Sequence, residues 1–181
     1  INEGYTSKVH EQQALEQAKY LLQQYIQKHL INDGSQKPIA IEVPFSFFIA
    51  DQNLRPAGVK IGGRIDRVDQ RPDGSIEIID YKTGKNMPSE KDLLTNLQLT
   101  LYALAATQVR DTVFNKQANQ ITLSLHYLEE DKILTTTRTK EQLEEAKTEI
   151  LQKIHEIEQS DFACSKSIFC QNCEYKMLCS T

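Results

Sequence analysis

The sequence predicts a single α/β domain of 181 residues with a cysteine-bearing C-terminal tail. Helical and strand periodicities alternate along the chain, and no internal repeat or low-complexity linker divides it. A composition of 39% hydrophobic and 25% charged residues is enough to bury one core.

From Val9 to Leu30, the residues Val9, Ala14, Leu15, Ala18, Leu21, Leu22, Tyr25 and Ile26 recur at helical spacing, and Asn32-Asp33-Gly34 supplies the stop. Three β-rich runs follow at Ile39–Ala50, Gly58–Val68 and Ser75–Tyr81. The last two flank the turn signal Arg71-Pro72-Asp73-Gly74, so the three read as an antiparallel meander. Lys91–Thr107 is helical, with Leu93, Leu94, Leu97, Leu101, Leu104 and Ala105 on one side. Gln120–Leu128 and Lys132–Thr136 form a further strand pair, and Lys140–Ile157 is the last helix.

Twenty-one basic residues against 25 acids give a net charge of −4, which excludes a global basic field for nucleic acid. An anion site must therefore be local. Asp51 to Lys85 carries seven bases against six acids, whereas Lys140 to Thr181 carries five against eight, so the middle of the chain is the better place. No apolar run approaches the roughly 20 residues of a membrane span, and no signal-peptide layout is present. The expected location is cytoplasmic. The chain starts at Ile1 rather than Met, so we expect a fragment of something longer.

The most informative stretch is Gly62-Gly63-Arg64-Ile65-Asp66-Arg67-Val68-Asp69, a turn, then Ile76 to Lys85. A turn centred on Asp73 pairs positions whose numbers sum to 146, placing Asp66 opposite Asp80 and Arg64 opposite Lys82. Two opposed carboxylates repel unless a cation lies between them, and Mg²⁺ takes one or two carboxylates and fills its shell with water and phosphate oxygen. Lys82 follows Asp80 by two residues on the same face, where an ammonium can hold a water or a phosphate oxygen. The competing reading is an exposed hairpin of alternating charge in which Lys82 neutralises Asp80.

With Glu42 in Ile41-Glu42-Val43-Pro44-Phe45 before it and Gln98-Leu99-Thr100-Leu101-Tyr102 after it, this stretch resembles the RecB-like nucleases of the PD-(D/E)xK superfamily. The similarity is to the nuclease domains of UvrD/Rep-type and AddAB-type helicase-nucleases, and it spans Lys37 to Cys179. It implies a restriction-endonuclease-like core, a mixed central β-sheet with flanking helices. It also implies that Glu42, Asp66, Asp80, Lys82, Gln98 and Tyr102 form the active site. Asp66 and Asp80, with Glu42 and the Tyr81 carbonyl, would bind Mg²⁺ or Mn²⁺; Lys82 would position the attacking water, and Gln98 and Tyr102 would orient the lysine or a phosphate. The last pair is four residues apart and shares one helix face. Arg64, Arg67 and Lys85 are candidate DNA phosphate contacts. The family's Gly-x-x-x-His signature has no match at its spacing, since His10 follows Gly4 at a different interval, and that histidine is expected before Ile1.

All four cysteines, Cys164, Cys170, Cys173 and Cys179, fall in the last eighteen residues, which in a cytoplasmic protein argues for metal over disulfide. Cys170-x-x-Cys173 with Cys179 resembles the C-terminal motif by which many RecB-like nucleases hold a [4Fe-4S] cluster. Four thiolates suit tetrahedral Zn²⁺ equally well, and reduced cysteines that pack the tail are the third option.

Together these features predict a metal-dependent deoxyribonuclease domain, residues 1–181 with a cysteine tail over 160–181, hydrolysing phosphodiester bonds as an exonuclease in DNA repair or recombination. Its partners are DNA and a helicase motor, in the same chain or in a second subunit. The alternative is a non-cleaving module of the same fold that binds DNA or docks protein. A zinc-ribbon interaction protein accounts for the tail alone.

Overall fold

The computed structural model describes residues 4–30, 37–51, 55–161, 168–173 and 176–178. One five-stranded sheet of order β1-β2-β3-β4-β5 organises the chain, from β1 (Lys37–Asp51), β2 (Arg55–Gln70), β3 (Ile76–Lys82), β4 (Ile121–Tyr127) and β5 (Lys132–Thr136). All neighbours are antiparallel except β3 and β4, which are parallel. A parallel pair needs a crossover, and the helices between them supply it. Between two neighbours, β3 reads Ile-Glu-Ile-Ile-Asp with every residue of Ile76–Asp80 buried.

The Lys91–Thr107 helix of the sequence reading is two helices, α2 (Glu90–Leu94) and α3 (Leu97–Gln108). Asn96 causes the break: its side chain accepts Leu99 N at 3.0 Å and so starts a new helix where periodicity alone runs on. Leu99, Thr100 and Tyr102–Ala106 are all buried, because α3 lies between the sheet and α4 (Lys140–Gln159), which contributes Leu143 and Ile150 to the core. The strand side of that core is Phe45, Phe47, Ile49, Ile65, Val68, Ile76, Ile78, Leu123 and Leu125.

Helix α1 (Lys8–Tyr25) is capped by Ser7, whose side chain accepts His10 N at 3.1 Å, and closes in a π turn over Ile26–Leu30. It buries none of its residues and meets the sheet through the half-buried Tyr25. Among the described residues no helix is long and apolar enough to cross a membrane.

Candidate active site

The β2–β3 register is the one the turn dictates. Gln70↔Ile76, Asp69↔Glu77, Val68↔Ile78 and Arg67↔Ile79 all sum to 146. The turn itself is closed by Gly74 N to Arg71 O at 3.0 Å, with Gly74 at φ +83° and Asp73 Oδ1 accepting Ser75 N at 2.9 Å. Paired rungs end at Arg67↔Ile79, one step before Asp66 and Asp80 would face each other. There the Asp66 carboxylate takes over, its Oδ2 accepting Tyr81 N at 2.9 Å. Asp66 thus satisfies an amide that the parting strands leave without a main-chain acceptor.

Asp80 is 3% exposed, and three groups converge on it. Its Oδ1 accepts Gln98 Nε2 at 2.7 Å and the Tyr102 hydroxyl at 3.0 Å. Its Oδ2 accepts no well-directed hydrogen bond and meets the Lys82 ammonium as an ion pair at 2.7 Å. Lys82 Nζ donates to Gln98 Oε1 at 2.9 Å, and Gln98 Nε2 reaches the Tyr102 oxygen at 2.8 Å. The amide of Gln98 is therefore oriented by its neighbours, oxygen toward the ammonium and nitrogen toward the carboxylate. Burial first, then the charge of Asp80, pushes the Tyr102 phenol well above its usual pKa, so it remains a neutral donor.

Packing beneath fixes the tyrosine. The Phe45 ring meets Tyr102 edge-on at a centroid distance of 6.0 Å, and Phe45 pairs across the strands with Gly63. A Cβ at Gly63 would lie 2.8 Å from the tip of that ring, which explains the glycine three residues before Asp66.

A residue that no sequence motif singles out holds the helix that bears Gln98 and Tyr102. Arg138 is 4% exposed, and burial lowers its pKa from the usual value. Nε donates to Thr100 Oγ1 at 2.9 Å; Nη1 to Thr137 O at 2.8 Å and Thr136 Oγ1 at 3.2 Å; Nη2 to Leu93 O at 3.0 Å and Asn96 O at 3.4 Å. All five guanidinium donors are used, two of them on carbonyls at the α2–α3 junction. Its position, directly before the α4 cap Thr139, carries no motif, and its partners come from separate segments.

The other expected site residues lie elsewhere. Glu42 is exposed at φ +49°, between the rungs Ile41↔Arg67 and Val43↔Ile65, and its carboxylate is 3.8 Å from Arg64. Arg64 is exposed as well. Arg67 does not join it: both Nε and Nη2 bind Asp69 at 2.6 Å, and Nη1 donates to the Tyr81 hydroxyl at 3.4 Å. That hydroxyl belongs to a cluster on the opposite face of β3, within 3.1 Å of Tyr25 Oη, which in turn is 3.2 Å from His126 Nδ1. Burial, then the Tyr81 hydrogen bond, pushes the Tyr25 phenol well up. Lys85 is exposed, 3.8 Å from Glu129. His10 is exposed in the first turn of α1, with Nδ1 3.1 Å from the Thr6 hydroxyl. Cys170 and Cys173 are partly buried, one turn apart, with Cys173 N donating to Cys170 O at 3.4 Å; Cys164 and Cys179 lie outside the described residues.

The donors around the gap are oxygens, from Asp66 and Asp80, a set that suits a hard divalent cation better than a thiophilic one. Among the described residues no group of three or more His, Cys, Asp or Glu side chains is arranged to hold a metal. Asp80 Oδ2 is buried with the Lys82 ammonium as its ionic partner.

A family model described as the PD-(D/E)XK nuclease superfamily matches residues 2–180. The crystal structure titled SSO0001 is similar over 90% of this chain and 68% of that one, at 16% identity and a TM-score of 0.48. No curated protein matches the chain.

Proposed function

Since the chain belongs to the PD-(D/E)XK nuclease superfamily, we propose that it is a metal-dependent deoxyribonuclease whose centre is the Asp66, Asp80, Lys82, Gln98 and Tyr102 constellation. The observation that carries this reading is the convergence of Lys82, Gln98 and Tyr102 on the single buried carboxylate of Asp80. Building such a network around an acid has no structural necessity, since an apolar side chain would pack there more cheaply.

Asp66 and Asp80 would hold Mg²⁺ or Mn²⁺, which when bound stabilises charge developing on the phosphate and lowers the pKa of water. Lys82 donates an N–H to Gln98 Oε1 and pairs ionically with Asp80 Oδ2. An N–H that these contacts leave over is the donor for an incoming water or phosphate oxygen. Gln98 and Tyr102 are positioning residues, holding Lys82 and Asp80 at a fixed separation. Hydrolysis adds the water oxygen to phosphorus, breaks one P–O ester bond and delivers a proton to the departing alcohol oxygen. Arg64 and Lys85, both exposed, are suited to hold neighbouring phosphates without reading sequence.

Within the superfamily we place the chain in the RecB-like group, working as an exonuclease in repair or recombination beside a helicase motor. The motif order Glu42, Gly63-x-x-Asp66, Asp80-x-Lys82 and Gln98-x-x-x-Tyr102 supports that placement. The one-turn spacing of Cys170 and Cys173 is compatible with two thiolate ligands of an iron-sulfur or zinc staple. A second reading, a module that binds DNA or docks protein without cleaving, draws on the outward position of Glu42. Asp80→Ala separates the two: loss of cleavage with DNA binding retained supports the enzyme, and a wild type that binds without cutting in either metal supports the module.

A further inference from the structure

Asp80, Tyr81 and Lys82 lie where β3 has parted from β2 and keeps β4, in the pairs Asp80↔Leu125, Tyr81↔His126 and Lys82↔Tyr127. On the β2 side the Asp66 carboxylate holds the Tyr81 amide. A segment laddered along one edge can roll about that edge, and what grips its side chains resists the roll. Asp80 and Lys82 reach Gln98 of α3 on one face, so strand alternation sends the Tyr81 ring to the other. Any roll of the segment therefore moves that ring and the Asp80–Lys82 pair together, in opposite directions.

We propose that Tyr25 of α1 is a positioning residue for Asp80 and Lys82, acting through Tyr81. Its hydroxyl lies 3.1 Å from the Tyr81 hydroxyl and 3.2 Å from His126 Nδ1, and its ring meets the Tyr81 ring edge-on at a centroid distance of 5.5 Å. Arg67 Nη1 donates to the same Tyr81 oxygen at 3.4 Å, and the His126 ring stands edge-on to Tyr81 at 5.7 Å. The Tyr81 ring is thus gripped from β2, from β4 and, through Tyr25, from α1. Helix α1 buries none of its residues, so this contact is not a by-product of close packing. The helix also has a second anchor: Lys28, in the π turn that begins directly after Tyr25, pairs with Asp131 between β4 and β5. The Tyr25 hydroxyl is therefore not needed merely to attach α1, and π turns, rare in general, are frequent at functional sites. The consequence for catalysis rests on the nuclease reading, since a displacement of about 1 Å at such a centre costs up to about a hundredfold in rate.

The test removes the hydroxyl and leaves the ring. Tyr25→Phe is compared with Tyr81→Phe, with the double variant and with Lys28→Ala, which loosens the second anchor alone. Hydrogen exchange of the β3 amides, followed in EDTA, reads the strand with neither metal nor substrate. Tyr25→Phe is expected to speed exchange at Tyr81 about fivefold, the effect of one lost hydrogen bond, and to leave Ile78 in the paired part of the strand unchanged. In the cleavage assay its kcat is expected to fall about tenfold with KM unchanged. The double variant is expected to be no slower than Tyr81→Phe, because the two residues act along one path. Lys28→Ala is expected to match wild type in both measurements. A merely structural role would speed exchange along all of β3 and leave kcat per folded molecule intact, and that result would overturn the proposal. Additive losses in the double variant, or a Lys28→Ala defect equal to that of Tyr25→Phe, would overturn it as well. If exchange responds as expected and wild type cleaves in no metal, the nuclease reading fails and the hold of Tyr25 on the Asp80–Lys82 segment stands.

Discussion

The Asp66 carboxylate accepts the Tyr81 main-chain amide at 2.9 Å, standing in for the strand carbonyl that would otherwise extend the β2–β3 ladder. One oxygen thereby closes the fold, and in the proposed nuclease the other serves the metal. The two roles separate by substitution. Asp66→Asn retains an acceptor for Tyr81 and is expected to keep its stability while losing most metal-dependent cleavage. Asp66→Ala orphans the amide and should cost about 1 kcal/mol in addition. Urea denaturation beside the cleavage assay checks this, and equal stability loss in both variants would count against the dual role.

Arg138 gives a second prediction. Its removal leaves the carbonyls of Leu93 and Asn96 and the hydroxyl of Thr100 short of a buried donor. Arg138→Met is expected to destabilise the fold by about 2–4 kcal/mol. Arg138→Lys should recover only part of it, because a point ammonium cannot span contacts made by a planar fork. Chemical denaturation of the three proteins reads the ranking, and full recovery by lysine would contradict the five-donor account.

Gly63→Ala tests the link from strand to tyrosine. The added methyl meets the Phe45 ring at 2.8 Å, and the ring bears on Tyr102, so the variant should lose about 1–3 kcal/mol and part of its activity. Phe45→Leu in the same background opens the contact and should restore stability; no restoration would show that the glycine acts through its backbone instead.

The phenol of Tyr102 links the site to alkaline pH. Its pKa is raised in the folded chain from the usual 10.0, by burial and then by Asp80. Folding therefore retains a proton that the unfolded chain sheds, so the contribution is fully present below pH 10 and declines as pH rises above it. Tyr25, raised by burial and by Tyr81, adds to the same decline. Urea midpoints measured at pH 9 and pH 11 should fall further for wild type than for Tyr102→Phe. Equal declines would remove Tyr102 as a source.

Much of this was legible from local chemistry. The β2–β3 register followed from the Pro72-Asp73-Gly74 turn, because a hairpin's register is set by its loop. The Gln98 and Tyr102 pair followed from helical spacing, and both reach Asp80. What escaped depends on side chains acting on backbone. Asn96 divides one periodic run into two helices by capping, and periodicity does not register a cap. Asp66 ends a ladder that strand propensity would continue. Arg67 shares its charge and neighbourhood with Arg64, but strand alternation turns it to the face of Asp69 and Tyr81. Glu42 lies in an unbroken β run whose positive φ nothing in the residue order announces.

The central claim is that the buried Asp80 with Lys82 at 2.7 Å is a phosphodiester-cleaving centre. The most direct measurement is cleavage of end-labelled single- and double-stranded DNA in Mg²⁺, Mn²⁺ or EDTA by wild type, Asp80→Ala and Lys82→Ala. The expected result is degradation by wild type in either metal, none in EDTA, and a loss of at least a hundredfold in both variants with folding retained. Cleavage that survives both substitutions, or that proceeds in EDTA, would contradict the account.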